Sequence, residues 1–244
     1  MRCCLAAVLA LVASCDAVFG LRDVDAVGDG GGGDGPAANS HAFVQGASAQ
    51  SESDTTTMLQ IHLDARPEVG DLIVVAVSSY LTTLPPPFDS ASNHYDTIVP
   101  QMTTGSNDPT ALTMFAATHI VTSDNFTVTL IPDNDKGFVT AAVLEYATSG
   151  ALSVATPTAG DAGPPTCGPI STETPELAIA ALDLDGSGDI GSGTGFTQRE
   201  SPSTNFNENP VLVTEDAPAG ATTTTATFTS DAAGPWVCGL AIFQ

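Results

Sequence analysis

The sequence predicts an all-β protein: a single antiparallel β-sandwich, jelly-roll-like, with about 10–12 strands. Gly and Pro contribute 23 and 17 of the 244 residues, while Lys and Arg together contribute only 5. This composition disfavours helices. Short apolar or alternating runs are separated by clusters of Gly, Pro, Asn and Asp, which is typical of sandwiches and barrels. We find no convincing amphipathic helix.

Eleven segments have the pattern of a strand. Residues 71–80 are apolar on both faces, which predicts a central strand covered on both sides. The Ala-rich segment 176–182 also fits a helix, although Pro175 before it and the Asp-Gly-Ser-Gly exit suit a strand equally well. The predicted strands lie near 42–48, 56–63, 71–80, 94–102, 111–120, 125–131, 138–147, 176–184, 209–215, 222–229 and 236–243.

The N-terminus has the features of a secretory signal. Arg2 is followed by an apolar run that ends in small residues, and the run is too short for a membrane-spanning helix. Val12-Ala13-Ser14-Cys15 resembles the bacterial lipobox, in which the cysteine is acylated and becomes the first mature residue. The resemblance implies a signal peptide over 1–14 and a lipid on Cys15. Ordinary signal cleavage nearby is the alternative.

Residues 15–40 are predicted to be a lipidated cysteine followed by a tether. Four consecutive glycines and interspersed aspartates cannot pack a core, so this segment should be flexible and self-repelling. The stretch 15–21 resembles the start of myxobacterial lipoproteins. Asp16 retains lipoproteins at the inner membrane in enteric bacteria, a rule that does not carry over to other lineages. The folded domain is expected over 41–244.

Cys167 and Cys238 are the cysteines that remain after the signal and the lipidated residue are set aside. Two cysteines in an oxidising compartment predict a disulfide. A zinc site is the rival, but two isolated cysteines without nearby histidines are poor zinc ligands.

The formal net charge of −23 excludes several partners. Nucleic-acid binding requires clustered Lys and Arg, which the chain lacks. Electrostatic adhesion to anionic lipids fails for the same reason. An acidic surface suits a soluble exported protein and names no specific partner.

Five stretches of the chain occur in the same order in a β-sandwich module of bacterial exported proteins. The resemblance covers 41–244 and implies fold and location, not chemistry, because we know no established activity for this module. In the first stretch Ser92 replaces the glycine of a D-x-x-G-N-x-Y turn. The stretches are 88–95, 126–130, 144–146, 176–180 with 195–199, and 236–243.

The sequence contains no catalytic motif with specific spacing, so we expect no enzyme. Glu145 ends an apolar strand, where it is either a buried functional acid or a carboxylate satisfied by backbone amides or an arginine such as Arg199. Asp183, Asp185 and Asp189 resemble the opening of a calcium loop, but the acidic residue at position twelve is missing. An acidic hairpin loop is the alternative.

Aromatic residues flank the Pro85–Pro87 loop. Tyr80, Phe88 and Tyr95 would form either an aromatic rim that stacks on sugar rings or one edge of the core. Trp236 lies close to Cys238 and is expected to pack in the core beside the disulfide.

The sequence therefore predicts an exported lipoprotein of the bacterial cell envelope, with the outer membrane or cell surface favoured over the inner membrane. We expect a non-enzymatic binding or scaffolding module whose partners are the membrane, through its lipid, and a polysaccharide or envelope protein. No cofactor is required, and calcium is the ion to consider. A calcium-assisted lectin-like module is the second hypothesis and a polysaccharide hydrolase a distant third.

Overall fold

The fold is described from a computed structural model. The predicted signal peptide, Cys15 and the tether lie outside the residues that the structure describes. These residues are 41–51, 57–80, 82–105, 109–134, 137–174, 176–185, 189–202, 211–220, 222–231 and 234–244.

Within these ranges every regular element is a strand, and there is no helix that could cross a membrane. The predicted all-β class is confirmed, but the predicted strand number was too low, because the described residues alone form seventeen strands. They are β1 (Ala42–Gln50), β2 (Leu59–His62), β3 (Leu72–Tyr80), β4 (Phe88–Asp89), β5 (Asp96–Thr103), β6 (Thr110–Ala117), β7 (Thr127–Leu130), β8 (Val139–Ala147), β9 (Leu152–Gly160), β10 (Thr166–Ser171), β11 (Glu176–Leu184), β12 (Ile190–Gly191), β13 (Thr197–Gln198), β14 (Val211–Ala219), β15 (Thr223–Thr227), β16 (Thr229–Ser230) and β17 (Trp236–Phe243).

Two five-stranded antiparallel sheets form the centre of the protein. The first large sheet has the order β1-β8-β3-β6-β5, and the second large sheet has the order β13-β14-β11-β17-β9. The first cover sheet, β2-β7-β4, and the second cover sheet, β10-β15, are smaller, and β12 pairs with β16. The β-sandwich is confirmed, while its jelly-roll character remains a prediction.

Three apolar clusters show how the sheets stack. One cluster joins the two large sheets, with residues such as Val74 and Leu144 facing Ile179 and Phe243. The other two clusters lie between each large sheet and its own cover sheet. The order of layers is therefore cover, large, large, cover, so both faces of each large sheet are buried. This explains why β3 and β11 are apolar on both faces.

The strands that the sequence pattern missed are short or contain proline. β4, β12, β13 and β16 have two residues each, too few to show a period. β9 contains Pro157 and β10 contains Pro169, and proline argues against a central strand. Both prolines are tolerated, because β9 is the outer strand of its sheet and β10 pairs with β15 alone.

Candidate functional site

The structure does not assemble the predicted aromatic rim. Tyr95 is 1% exposed, and its hydroxyl donates a hydrogen bond to Asp89 Oδ2 at 2.8 Å. Phe88 is 50% exposed on β4, and Tyr80 is half-buried at the end of β3. Because Tyr95 is a core residue, it offers no ring face to a sugar, and the three residues do not form one exposed strip.

The D-x-x-S-N-x-Y segment is a turn built around Asp89. One carboxylate oxygen accepts from the backbone N–H groups of Ala91 and Asn93, and the other accepts from the Asn93 amide and the Tyr95 hydroxyl. Ser92 has φ +64°, the left-handed conformation that glycine adopts most readily. This left-handed conformation explains why a glycine suits the same position of the D-x-x-G-N-x-Y turn. In this chain the hydrogen bonds to Asp89 stabilise the turn.

A cleft of about 230 Å³ lies beside the end of β3. The Gln101 amide and the Ser79 hydroxyl both donate to the Thr82 carbonyl, at 3.2 and 3.1 Å. Most of the cleft surface is apolar, and the hydroxyl and amide side chains among its lining are of the kind that bonds the hydroxyls of a sugar. Its polar lining residues are Ser79, Thr82, Thr83, Gln101, Thr103 and Asn134.

The three calcium candidates do not converge within the described part of the chain. Asp183 is fully buried in β11, where it accepts a hydrogen bond from Ser78 Oγ at 2.7 Å. Asp189 is exposed, and its backbone N–H donates to the carboxylate of Asp231. Among the described residues no three His, Cys, Asp or Glu side chains are placed to hold a metal ion. Residues 186–188 of the loop lie outside that description, so calcium remains a hypothesis.

Asp71 and Glu145 form a buried carboxylate pair at the end of the first large sheet. Glu145 accepts from the Glu68 backbone N–H at 3.2 Å and from the Gln45 amide. Burial, and then the hydrogen bond with Glu145, raise the pKa of Asp71 to about 6. Asp71 therefore stays protonated to a higher pH than an ordinary aspartate. A backbone amide satisfies Glu145 as the sequence suggested, but Arg199 is not its partner.

Arg199 instead lies between the two large sheets. Its Nε donates to Asp216 Oδ2 at 2.8 Å, and its guanidinium carbon lies 4.1 Å from the centre of the Phe43 ring. Tyr146 packs edge-on against Phe43 with ring centres 5.7 Å apart. The ion pair neutralises the buried Asp216 carboxylate, and the cation–π contact with Phe43 holds the guanidinium in place.

Three further acids are buried, each with one carboxylate oxygen that has no hydrogen-bond partner among the described residues: Glu176, Asp183 and Glu215. Burial raises the pKa of Asp183 and that of Glu215 to about 7. Ser78 opposes this shift at Asp183, and the Gly193 N–H opposes it at Glu215. The sequence analysis did not single out Asp71 or Glu215. The sequence feature that could have identified them is an acidic residue within an apolar strand, or directly before one.

Half-protonated acids near pH 7 are suited to general acid–base chemistry. Here, however, Glu145, Asp183 and Glu215 each have no exposed surface. A polymer could reach them only if strands moved apart. Comparison with protein-family models, with curated proteins and with solved structures finds no match to this chain.

Replacing Gln45 should loosen the loop that covers the carboxylate pair. The Gln45 side chain bonds both the N–H and the C=O of Ala65 as well as Glu145. Gln45→Leu should lower the free energy of unfolding by about 1 kcal/mol, because it removes one donor from the buried Glu145 carboxylate, while the exposed Ala65 backbone groups can bond water instead. Urea unfolding would measure this change.

The matched control for that substitution is Gln50→Leu on the same strand. Among the described residues, no group donates to the buried side-chain oxygen of Gln50. Its removal should therefore cost much less. Equal losses for the two variants would contradict a specific role for Gln45.

Proposed function

We propose that this chain is an exported bacterial lipoprotein, held at the cell envelope by a lipid on Cys15, whose β-sandwich is a non-enzymatic binding or scaffolding module. The observation that carries the proposal is the disulfide between Cys167 and Cys238, both without exposed surface. Stable structural disulfides are typical of exported proteins and rare in the cytosol of mesophiles. The lipobox pattern Val12–Cys15 supports the same location.

The placement of the acids supports a role without catalysis. Asp89 organises a turn, Asp216 holds Arg199, and Glu145 anchors the loop before β3. Each of these side chains thus has a structural partner inside the sandwich. A binding or scaffolding module requires a rigid frame of this kind and no accessible pair of carboxylates.

Lipidation of Cys15 can be tested directly. The natural chain should partition into the detergent phase of Triton X-114 and incorporate labelled palmitate. Cys15→Ser should move to the aqueous phase without label. Cys3→Ser, which changes a cysteine of the predicted signal peptide, is the control and should behave as the natural chain. If the natural and Cys15→Ser chains both stay aqueous, the anchor is wrong.

Carbohydrate binding is the second candidate, because the cleft beside β3 is lined by hydroxyl and amide groups. The mature chain with Cys15→Ser should be screened against polysaccharides with calcium and then with chelator. Binding that chelator removes and Asp189→Asn weakens would indicate a calcium-assisted lectin. Chelator-resistant binding weakened by Gln101→Ala would place the ligand in the cleft.

Gln60→Ala is the control for the cleft, since Gln60 is an exposed amide on β2. If no polysaccharide binds in either condition, the carbohydrate hypothesis is wrong and a protein partner is favoured.

A further inference from the structure

The two halves of the sandwich have the same strand order. In the first half the order is β1-β8-β3-β6-β5, and the second large sheet, taken from its other edge, is β9-β17-β11-β14-β13. Each strand of the first large sheet thus has a counterpart at the same place in the second, although the second half contains one additional short strand, β16. The cover sheets agree as well, since β2 pairs with β7 and β10 with β15.

The hydrogen-bonding registers agree residue by residue. Each of the eight Cα pairs of β3 and β8 becomes a pair of β11 and β17 when the β3 number increases by 105 and the β8 number by 97. Leu72 opposite Tyr146, for example, corresponds to Leu177 opposite Phe243. One shift of 100 likewise carries β6 onto β14. Any two regular antiparallel ladders of equal length can be aligned in this way, so the ladders are compatible with a repeat, while the shared strand order and the shared bulge are the evidence for it.

Even an irregularity is repeated. In β1 the register skips Val44, between Phe43 and Gln45. In β9 the register skips Ser153, between Leu152 and Val154, and these three positions lie 109 residues after those of β1. A bulge in the same place on both outer strands is a conserved structural feature of a repeated unit.

The two halves face each other across an approximate two-fold axis. Ser78 and Asp183 occupy equivalent positions, and they bond each other at 2.7 Å. Equivalent residues meet only where a two-fold axis passes. Contacts away from the axis are reciprocal, because β6 packs on β11 and β17 while β14 packs on β3 and β8.

The surface between the halves is mainly apolar, and no disulfide among the described residues crosses it. Of the cluster that fills it, eleven buried residues come from the first half and seven from the second. The disulfide lies wholly within the second half. A half on its own would expose this face, which is the kind of patch that marks an interaction surface.

We propose that 41–147 and 152–244 are two copies of one sandwich unit, and that the inner face of each is a recognition surface for the complementary half, so that a first half also pairs with the second half of another copy of this chain. Each first half then pairs with a second half. This inference is independent of the lipid anchor and of any ligand.

Two differences between the halves explain why unlike halves pair. A pairing of two second halves would place Asp183 against Asp183 at the axis, where two buried carboxylates repel each other. A pairing of two first halves would lack the contacts that Arg199 and Glu200 of the second half make with Phe43 and Ser48 of the first half. The complementary pairing alone has both the Ser78–Asp183 bond and the Arg199–Phe43 contact.

The test cuts the connection between the halves. A protease site is inserted between Ser149 and Gly150 in the mature chain carrying Cys15→Ser, and the folded protein is cleaved. The two fragments should elute together with an unchanged circular dichroism spectrum. Fragments that separate or unfold after cleavage would overturn the proposal. If the insertion itself prevents folding, co-expression of the two halves with one tag applies the same criterion.

Exchange tests recognition by a second copy. Isotope-labelled and unlabelled cleaved proteins are mixed, unfolded in urea, refolded and weighed by native mass spectrometry. Hybrids of a first and a second half should be as abundant as random mixing gives, and pairs of like halves should be rare. Failure to reassemble, or like pairs in equal number, would contradict the proposal.

Asp183→Ser distinguishes specific pairing of unlike halves from non-specific apolar association. With two serines at the axis, pairs of second halves should appear in the exchange experiment. Asp231→Ser removes an acid from outside the interface and should leave the pairing unchanged. A distribution that does not change with Asp183→Ser would show that Asp183 does not determine which halves pair.

Discussion

At pH 8, Asp183→Asn should be more stable than the natural chain by about 3 kcal/mol. Asp183 is fully buried between the two large sheets, and burial raises its pKa from the ordinary value of 3.8 to about 7. Above pH 7 the natural chain must keep a charged carboxylate in an apolar core. Asparagine has nearly the same shape, accepts the Ser78 hydrogen bond and carries no charge.

The sign of the pH dependence follows from the direction of the shift. Because the folded pKa lies above the unfolded one, the stability contributed by neutral Asp183 is complete below about pH 4 and is lost as the pH rises through 7. Asp71 and Glu215 have raised pKa values and act in the same direction. Burial lowers the pKa of His41, which opposes them on acidification. Three acids outweigh one partly buried histidine, so the protein should be more stable at pH 5 than at pH 8.

Urea unfolding followed by Trp236 fluorescence would measure these differences at pH 5 and pH 8. Asp183→Asn should reduce the pH dependence, and its advantage should shrink at pH 5. Asp161→Asn removes the same charge from an exposed turn and should change stability little at either pH. A natural chain more stable at pH 8 than at pH 5 would contradict the argument.

The longer strands were predictable because burial leaves a mark on sequence. The segments 71–80 and 176–184 are apolar on both faces, and both became central strands covered by a second layer. Layer number was not predictable, because a covered face looks the same whether a cover sheet or another large sheet packs on it. The repeat was also hidden, since Ser78 corresponds to Asp183 and Glu145 to Ile242. Register is conserved in a sheet more readily than side-chain chemistry.

The candidate sites were harder to predict than the strands. The sequence left Tyr95 either as a rim residue or at one edge of the core, and the structure buries it with its hydroxyl bonded to Asp89. Strand alternation in β11 turns Asp183 away from the loop that follows it. The disulfide was predictable, because only two cysteines remained after the N-terminal ones were set aside. Predicting this disulfide required only the number of cysteines, whereas predicting a ligand site requires the three-dimensional arrangement of its residues.

Loss of the disulfide should be the most destabilising change considered. The bond closes a loop of 71 residues and joins β10 of the second cover sheet to β17 of the second large sheet. Chain-entropy arguments give about 4 kcal/mol for a loop of this length. Domains of this kind are stable by only about 5–15 kcal/mol, so the double variant Cys167→Ala/Cys238→Ala should lose a large fraction of its stability.

Reduction provides the matched comparison, with Cys15→Ser as the parent chain so that no other mature cysteine reacts. Neither cysteine is exposed, so reductant should have little effect on the folded protein. It should reduce the disulfide only after urea has unfolded the chain. The reduced parent and the double variant should then unfold together, well below the oxidised parent. Coincident curves for the oxidised and reduced parent would mean that packing between the second cover sheet and its large sheet holds them without the bond. The export argument would then lose its support, because a disulfide without effect on stability gives no advantage to a protein outside the cytosol.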